Sequence, residues 1–210
     1  MVSEKTINLL ATGEGWEMCS DDGEIWGVNG TYKFKDVDRL FITDKLYTEY
    51  DTPNFDVDRM NNSGIPIVSR NHIEGLNYEP YPFKEIVEYF QTDYFANSFC
   101  YMFAYALYYG IKHFKCYGFQ FQTPREVIWQ KPCLEYWIGR IQGMGGSVEI
   151  IGDTTLLKHF TGLPYGFTKD EYEYKVDKWG ALEKWREVVD RNHWELFSEG
   201  ESLKGENDII

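Results

Sequence analysis

A charge-free stretch near the middle of the chain decides the predicted fold: Asn97-Ser98-Phe99-Cys100-Tyr101-Met102-Phe103-Ala104-Tyr105-Ala106-Leu107-Tyr108-Tyr109-Gly110. Its length and apolar content predict a buried helix, with Asn97 or Ser98 as the N-cap and Gly110 at the end. The apolar run that follows, Phe114–Phe119, predicts a central strand covered on both faces. A helix that leads into such a strand is the repeating unit of a doubly wound α/β sheet, where ligands bind at helix N-termini and at the carboxyl ends of strands.

Composition limits the classes of protein. The chain has 210 residues, of which 43% are apolar and 18% aromatic, enough for one domain with a substantial core. Its net charge of −13 argues against a large nucleic-acid-binding surface, although a local basic groove is compatible with it. No apolar run approaches the roughly 20 residues of a membrane span, and the first residues are not a signal peptide. We expect a cytoplasmic protein.

The four cysteines are far apart in the sequence and show no Cys-x-x-Cys spacing. Most of them lie in apolar segments, so we expect buried, reduced thiols. The histidines show no metal-ligand spacing, and no metal site is predicted.

The rest of the chain continues the strand–turn–helix pattern. Further strands are predicted at Ile7–Thr12, Glu24–Asn29, Arg39–Asp44, Ile65–Ser69 and Ser147–Ile151. Helices are predicted at 56–61, 83–90, 133–144 and 153–160, with a polar loop at Gln120–Lys131. The pattern predicts an α/β protein: a single Rossmann-like three-layer α/β/α sandwich with a mostly parallel sheet over residues 1–168. Residues 169–210 are predicted as a C-terminal helical extension and tail, which can pack on the sheet or form a homo-oligomer contact.

Polar residues follow the first three predicted strands. Gly13-Glu14-Gly15 comes after the first strand, where it can let backbone N–H groups approach a phosphate, or be a tight turn. Asn29 ends the second strand and can reach a ligand, although Asn29-Gly30 is also an ordinary turn pair. Asp44 ends the third strand. Together with Asp51, Asp56 and Asp58, it forms either a Mg²⁺ site for a diphosphate or a solvated acidic loop.

The order of these pieces resembles a group of phage-encoded Rossmann-like proteins that are related in pattern to bacterial sialyltransferases and, more distantly, to hydroxymethylpterin pyrophosphokinase-like proteins. The resemblance runs from about Ile7 to Phe167. The matching segments are Leu10-Ala11-Thr12-Gly13-Glu14-Gly15, Trp26-Gly27-Val28-Asn29, Ser98-x-x-Tyr101-Met102, Tyr117-Gly118-Phe119, Gln130-Lys131-Pro132-Cys133-Leu134-Glu135-Tyr136-Trp137 and Leu156-Leu157.

This resemblance implies that the nucleotide of a sugar donor is held by residues at strand ends and at a helix start. The residues are Thr12, Gly13, Gly15, Asn29 and Ser98, with Gly118, Gln120 and Arg125 at the loop after the central strand. A serine at a helix start offers a hydroxyl and free N–H groups to an anion, and an asparagine offers a donor and an acceptor.

The chain departs from the resembled group at two positions. Gln120 stands where related proteins usually carry an acidic residue, and no histidine lies in the 126–131 loop, where the sialyltransferases have their catalytic one. A base for glycosyl transfer must therefore be Glu126, Glu135 or Asp44, while Lys131 and Arg125 can stabilise the departing phosphate. Glu135 can equally be an acid at the first turn of a helix, favoured by the helix dipole.

Three hypotheses follow. The leading one is transfer from a nucleotide-sugar donor onto a small glycan or a modified base of phage DNA, although the acidity of the chain disfavours DNA. The second is a non-catalytic protein that sequesters a nucleotide, which the glutamine at position 120 and the missing histidine favour. The third is an ATP-dependent pyrophosphokinase-type enzyme with Mg²⁺ near Asp44.

Overall fold

The computed structural model describes residues 5–43, 56–121, 123–158 and 163–164. The chain divides into two compact units, Met1–Thr155 and Leu156–Ile210. The helices and strands below all belong to the first unit. The predicted C-terminal extension over 169–210 lies outside the described residues, and its boundary at residue 168 stays a prediction.

A parallel sheet forms the centre of the first unit. In the part of the chain that the structure describes, its strands are β1 (Thr6–Leu10), β2 (Glu24–Val28), β3 (Arg39–Ile42), β4 (Ile67–Ser69), β5 (Glu79–Pro80), β6 (His113–Tyr117) and β7 (Ser147–Ile151). They lie in the order β5-β4-β3-β2-β1-β6-β7, and every neighbouring pair is parallel. This confirms the predicted α/β class.

Helices connect the strands and cover both faces of the sheet. The described α-helices are α1 (Val57–Asn62), α2 (Phe83–Phe90), α3 (Ser98–Tyr108) and α4 (Lys131–Gly143). Short 3₁₀ helices follow β1 at Trp16–Met18 and β2 at Asn29–Lys33, and a π-helix at Glu126–Gln130 leads into α4. None of the described helices is long and apolar enough to cross a membrane.

Each face of the sheet carries its own apolar layer. On one face, Phe103 of α3 packs edge-on against Phe114 at a centroid distance of 5.0 Å, and Tyr105 meets Phe41 in the same way at 5.2 Å. The strand residues of the opposite face pack against the 3₁₀ helices, α1 and the loops. That second cluster contains Leu10, Cys19, Ile25, Tyr32, Val37, Leu40, Ile42, Met60, Ile67, Ile73, Leu76 and Tyr117. The three predicted layers are therefore present.

Helix α3 lies where its sequence predicts. The side chain of Asn97 accepts a hydrogen bond from the N–H of Cys100 at 3.0 Å, which is an N-cap. At the other end Gly110 has a φ of 82°, and the N–H of Ile111 bonds back to the carbonyl of Ala106 at 2.9 Å. Within the helix Ser98–Tyr108 every residue except Phe99 and Tyr108 is buried, because the helix carries no charge that would require water.

The strand order reverses at β1. Strands β2 to β5 extend to one side of it, and β6 and β7 lie on the other. Immediately past the two central strands, the N–H of Ala11 donates to the carbonyl of Tyr117 at 2.9 Å. In open α/β sheets the crevice at such a reversal, outside the carboxyl ends of the strands, is the usual ligand site.

Two local predictions are wrong, and one strand was not predicted. A helix begins before Lys131, inside the predicted loop at 120–131, because Thr123 and Glu126 cap it. No helix forms over the described residues 153–158, where Leu157 has a φ of 54° within a turn that breaks the helical path. Strand β5 at Glu79–Pro80 has no sequence prediction, because two residues ending in a proline carry no alternation.

Tyr81 gives the fold a measurable dependence on alkaline pH. Its buried hydroxyl donates to the carbonyl of Tyr101 at 2.9 Å, and burial raises the pKa of Tyr81 far above its usual value. In the unfolded chain a tyrosine ionises near about pH 10. Because the folded pKa is the higher one, this contribution is fully present below about pH 10 and is lost as the pH rises further, by about 1.4 kcal/mol per pH unit.

We therefore expect the free energy of unfolding of Tyr81→Phe to fall less steeply than that of the wild type between pH 9.5 and 11. Urea denaturation at closely spaced pH values measures it. Tyr89→Phe, which removes an exposed hydroxyl, is the control and should follow the wild-type slope. Identical slopes for wild type and Tyr81→Phe would contradict the assignment.

Candidate functional site

Two glycines bring the backbones after β1 and β6 into direct contact. Gly118 has a φ of 69°, and a Cβ placed on it would lie 2.8 Å from the carbonyl oxygen of Gly13. A Cβ on Gly13 would in turn collide with the carbonyl of Gly118. Two of the residues predicted to bind the donor are therefore adjacent in space, at the point where the strand order reverses.

Gln120 and Thr12 lie beside Gly13. The side chain of Gln120 approaches Gly13 and reaches to 3.5 Å from the carboxylate of Glu14. Thr12, directly before Gly13, is exposed to solvent. Three residues predicted to bind the donor, Thr12, Gly13 and Gln120, are thus close together.

Gly15 and Asn29 have left-handed backbone conformations. Gly15, with a φ of 87°, is the N-cap of the 3₁₀ helix at Trp16–Met18. Asn29, with a φ of 51°, directly follows β2 and begins the second 3₁₀ helix. Asparagine is one of the few residues with a side chain that adopts this conformation readily. Asn29 is half-buried at the carboxyl end of its strand.

The start of α3 is tied to the ends of neighbouring strands. Thr43, which follows β3, donates its hydroxyl hydrogen to the hydroxyl oxygen of Ser98 at 2.7 Å, and both residues are buried. Asn71, which follows β4, donates to the carbonyl of Thr43 at 3.1 Å. Since Ser98 accepts from Thr43, its own hydroxyl hydrogen points elsewhere. The structure thus places Ser98 beside β3.

Asn97 connects this helix start to the next helix. Its side-chain N–H₂ donates to the carbonyl of Gln130 at 3.2 Å, while its oxygen caps α3. The π-helix that ends at Gln130 therefore lies next to the N-terminus of α3. π-helical turns are rare and occur often at functional sites.

Sequence reasoning missed a cation at this edge of the sheet. Arg70 directly follows β4, and its guanidinium donates to the hydroxyl of Tyr101 at 2.9 Å while lying 5.5 Å from the centre of that ring. Burial raises the pKa of Tyr101 even though Arg70 acts in the opposite direction, so the phenol stays neutral at ordinary pH. The rule that selected Asn29 and Asp44, a polar residue directly after a strand, also selects Arg70.

The candidate bases on the helical segment after β6 take part in structural contacts. The carboxylate of Glu126 accepts from the N–H of Thr123 at 2.8 Å, and the hydroxyl of Thr123 accepts from the N–H of Glu126 at 3.3 Å. This reciprocal pair is a capping box. Glu135 forms an ion pair with Lys131 at 3.7 Å, one helical turn away. Arg125 is exposed beside Glu126.

The predicted acidic cluster is only partly described. Asp44 and Asp51 lie outside the described residues. Asp56 caps α1 by accepting from the N–H of Arg59 at 2.8 Å, and Asp58 is exposed. Within the described ranges, no group of three or more His, Cys, Asp or Glu side chains is arranged to hold a metal ion.

Several solved structures of a sialyltransferase are similar to this chain. The chain is similar to the sialyltransferase CstII from Campylobacter jejuni in complex with cytidine-5'-monophosphate, with 15% identity over 81% of this chain and 98% of that chain, at a TM-score of 0.47. A complex of the same enzyme with CMP-3FNeuAc gives 15% identity, coverage of 70% and 79%, and a TM-score of 0.47. The complex with a trisaccharide acceptor and CMP gives 15% identity over 70% of this chain and 80% of that chain, at a TM-score of 0.45.

No protein-family model matches the chain, and no curated protein matches it. The fold assignment rests on the strand order and pairing of this chain.

Glycine substitutions test the contact between the two central loops. Gly118→Ala combines a left-handed φ with a collision, so we expect it to lower the free energy of unfolding by about 2–4 kcal/mol. Gly110→Ala has a left-handed φ of 82° but open space around it, and should cost about 1 kcal/mol. Gly139→Ala, in a helix with open space, should be neutral or stabilise by up to about 1 kcal/mol. Chemical denaturation gives all three values, and equal losses at positions 118 and 110 would contradict the close contact.

Proposed function

We propose that this protein binds a nucleotide-sugar donor at the carboxyl edge of its sheet and transfers the glycosyl group to an acceptor hydroxyl. The observation that supports the proposal most is the contact between Gly13 and Gly118 at the reversal of strand order. Glycine-rich backbone at the carboxyl ends of central parallel strands is typical of sites for ligands rich in phosphate and ribose oxygens. The choice of a nucleotide sugar comes from the resemblance of the strand-end motifs to sialyltransferases.

The anionic part of the donor needs positive charge, and this edge supplies two sources of it. The N-terminus of α3 carries the positive end of a helix dipole, and the hydroxyl of Ser98 is oriented there by Thr43. Arg70 adds a full charge beside the same helix through its contact with Tyr101. In a chain with a net charge of −13, a local cation at this edge supports anion binding.

The transfer step needs a base for the acceptor hydroxyl. Glu126 caps a helix and Glu135 is paired with Lys131, so each would have to leave a structural contact to accept a proton. The base in this proposal is Asp44, the remaining candidate from the sequence, which lies outside the described residues; Arg125 and Lys131 are the groups that stabilise the leaving phosphate. In the step itself, the acceptor oxygen forms the new glycosidic bond, the bond to the phosphate breaks, and the acceptor proton goes to the carboxylate.

A second function is favoured by the same contacts. If the carboxylates of Glu126 and Glu135 stay in their structural roles and Gln120 replaces an acid, the site can hold a nucleotide without turning it over. A sequestering protein would use the crevice and the helix start in the same way. Two finer points stay predictions: the acceptor, whether a glycan or phage DNA, and the Mg²⁺-dependent pyrophosphokinase alternative at Asp44.

Nucleotide binding is the first test. We expect calorimetric titration with nucleoside monophosphates, diphosphates and nucleotide sugars to find at least one ligand with a Kd in the micromolar range. Arg70→Gln should weaken that ligand's binding about 10- to 100-fold, the loss expected for one charge-assisted hydrogen bond. No binding by any nucleotide would refute the proposal.

Arg39→Gln is the matched control for Arg70→Gln. Arg39 also contacts a tyrosine hydroxyl of α3, that of Tyr105 at 3.4 Å, but it lies at the amino end of β3 and at the opposite edge of the sheet. Its substitution should leave nucleotide affinity unchanged, and thermal denaturation of both variants separates affinity from stability. An equal loss of affinity in both variants would contradict a specific role for Arg70.

Donor turnover separates transfer from sequestration. Incubation with the best-bound nucleotide sugar and mass spectrometry of the products should show slow release of free sugar and nucleotide without an acceptor. Asp44→Asn should abolish that release while keeping donor affinity within about threefold, because the amide cannot take the proton. Quantitative recovery of intact donor from the wild type would favour the sequestering protein.

A further inference from the structure

Two buried thiols lie in contact between α3 and α4. The sulfur atoms of Cys100 and Cys133 are 3.4 Å apart, and both residues are completely buried although 33 positions separate them in the sequence. Cys133 also contacts the carbonyl of Tyr94 at 3.3 Å. The chain's other two cysteines, Cys19 and Cys116, are buried and free as well. The sequence predicts buried, reduced thiols; the structure confirms the burial, and it shows a pairing that the sequence does not predict.

We propose that Cys100 and Cys133 form an oxidative modification site, at which a peroxide converts the two thiols into an intramolecular disulfide between α3 and α4. The helices are already packed on each other, so the sulfur atoms need to move only from 3.4 Å to the bonded distance of about 2.05 Å. The site is independent of the activity proposed above.

The chemistry takes two steps. The Cys133 sulfur, as a thiolate, attacks one oxygen of the peroxide; an S–O bond forms, the O–O bond breaks, and the leaving hydroxide takes a proton to become water. The Cys100 sulfur then attacks the resulting sulfenic acid of Cys133; an S–S bond forms, the S–O bond breaks, and the hydroxide leaves with the Cys100 proton as a second water. The two thiols lose two electrons, which reduce one peroxide to two waters.

The surroundings of the two thiols differ, and this difference indicates which one reacts first with the peroxide. Burial and the contact with Cys133 raise the pKa of Cys100, whereas the hydrogen bond from Cys100 lowers the pKa of Cys133. Cys133 also contacts the carbonyl of Tyr94, whereas no such contact to an exposed segment is described for Cys100, so we assign the first attack to Cys133 and its resolution to Cys100. Cys133 lies under the segment that contains Tyr94, whose side chain is 44% exposed. Local opening of that segment gives the oxidant access.

The bond would fix the start of α3 relative to α4. The N–H of Cys100 is the group that Asn97 caps, and the same Asn97 donates to the carbonyl of Gln130. A disulfide at Cys100 adds a covalent link to a junction that otherwise depends on hydrogen bonds and packing. A dithiol reductant would remove it again.

Peroxide treatment of the native wild-type protein tests the proposal. After a few equivalents of hydrogen peroxide, alkylation under denaturing conditions should label two cysteines instead of four, with an intact-mass loss of 2 Da. Peptide mapping should find the Cys100–Cys133 cross-link, and dithiothreitol should restore four labelled cysteines. Four labelled cysteines after peroxide, or a cross-link between any other pair, would overturn the proposal.

Single variants test the roles of the two thiols. Cys116→Ala removes an equally buried thiol whose pKa burial alone raises, and should form the disulfide at the wild-type rate. In Cys100→Ala, dimedone should trap a sulfenic acid at Cys133 at least tenfold faster than it does at Cys100 in Cys133→Ala. Equal trapping in the two variants would overturn the order of attack. If a variant fails to fold, the wild-type mapping experiment decides the pairing by itself.

Discussion

Burial of α3 against the parallel sheet is the contact on which the other features depend. The helix has no charged residue, and its aromatic side chains pack against rings on three strands. These contacts fix its position on the sheet. Its last turn leads directly into β6, which starts at the amino edge of the sheet. Because the helix runs antiparallel to the strands, its first turn must then lie at the carboxyl edge. The packing of an uncharged helix thereby places the positive end of its dipole next to the carboxyl ends of the strands.

The same edge collects groups from distant parts of the sequence through backbone contacts. Gly13 and Gly118 lie 105 positions apart, yet each occupies space that a side chain on the other would need. Thr43 and Ser98 are joined by a buried hydroxyl pair at 2.7 Å. A buried hydroxyl without a partner costs about 1–3 kcal/mol, so this pair both stabilises the helix start and fixes the direction of the Ser98 hydroxyl.

The sequence predicts the framework well because hydrophobic periodicity and end signals are local. The limits of α3, the class of sheet and the strand ends at Asn29 and Gly13 follow from residues within a few positions of each other. The partners at the site do not, since they depend on which strands become neighbours. The position of Arg70 after a strand is visible in the sequence, but nothing near it shows that Tyr101, 31 residues later, lies within hydrogen-bond distance. The pairing of Cys100 with Cys133 is hidden for the same reason.

The carboxylates show where a motif-based interpretation reaches its limit. A glutamate three residues after a threonine, at the start of a helix, has two possible uses: its charge can serve a ligand, or its carboxylate can accept from the backbone N–H of the threonine in a capping box. In Glu126 the second use is realised, and the helix consequently begins ahead of Lys131. The same sequence pattern therefore fits both uses, and the contacts of the folded chain distinguish them.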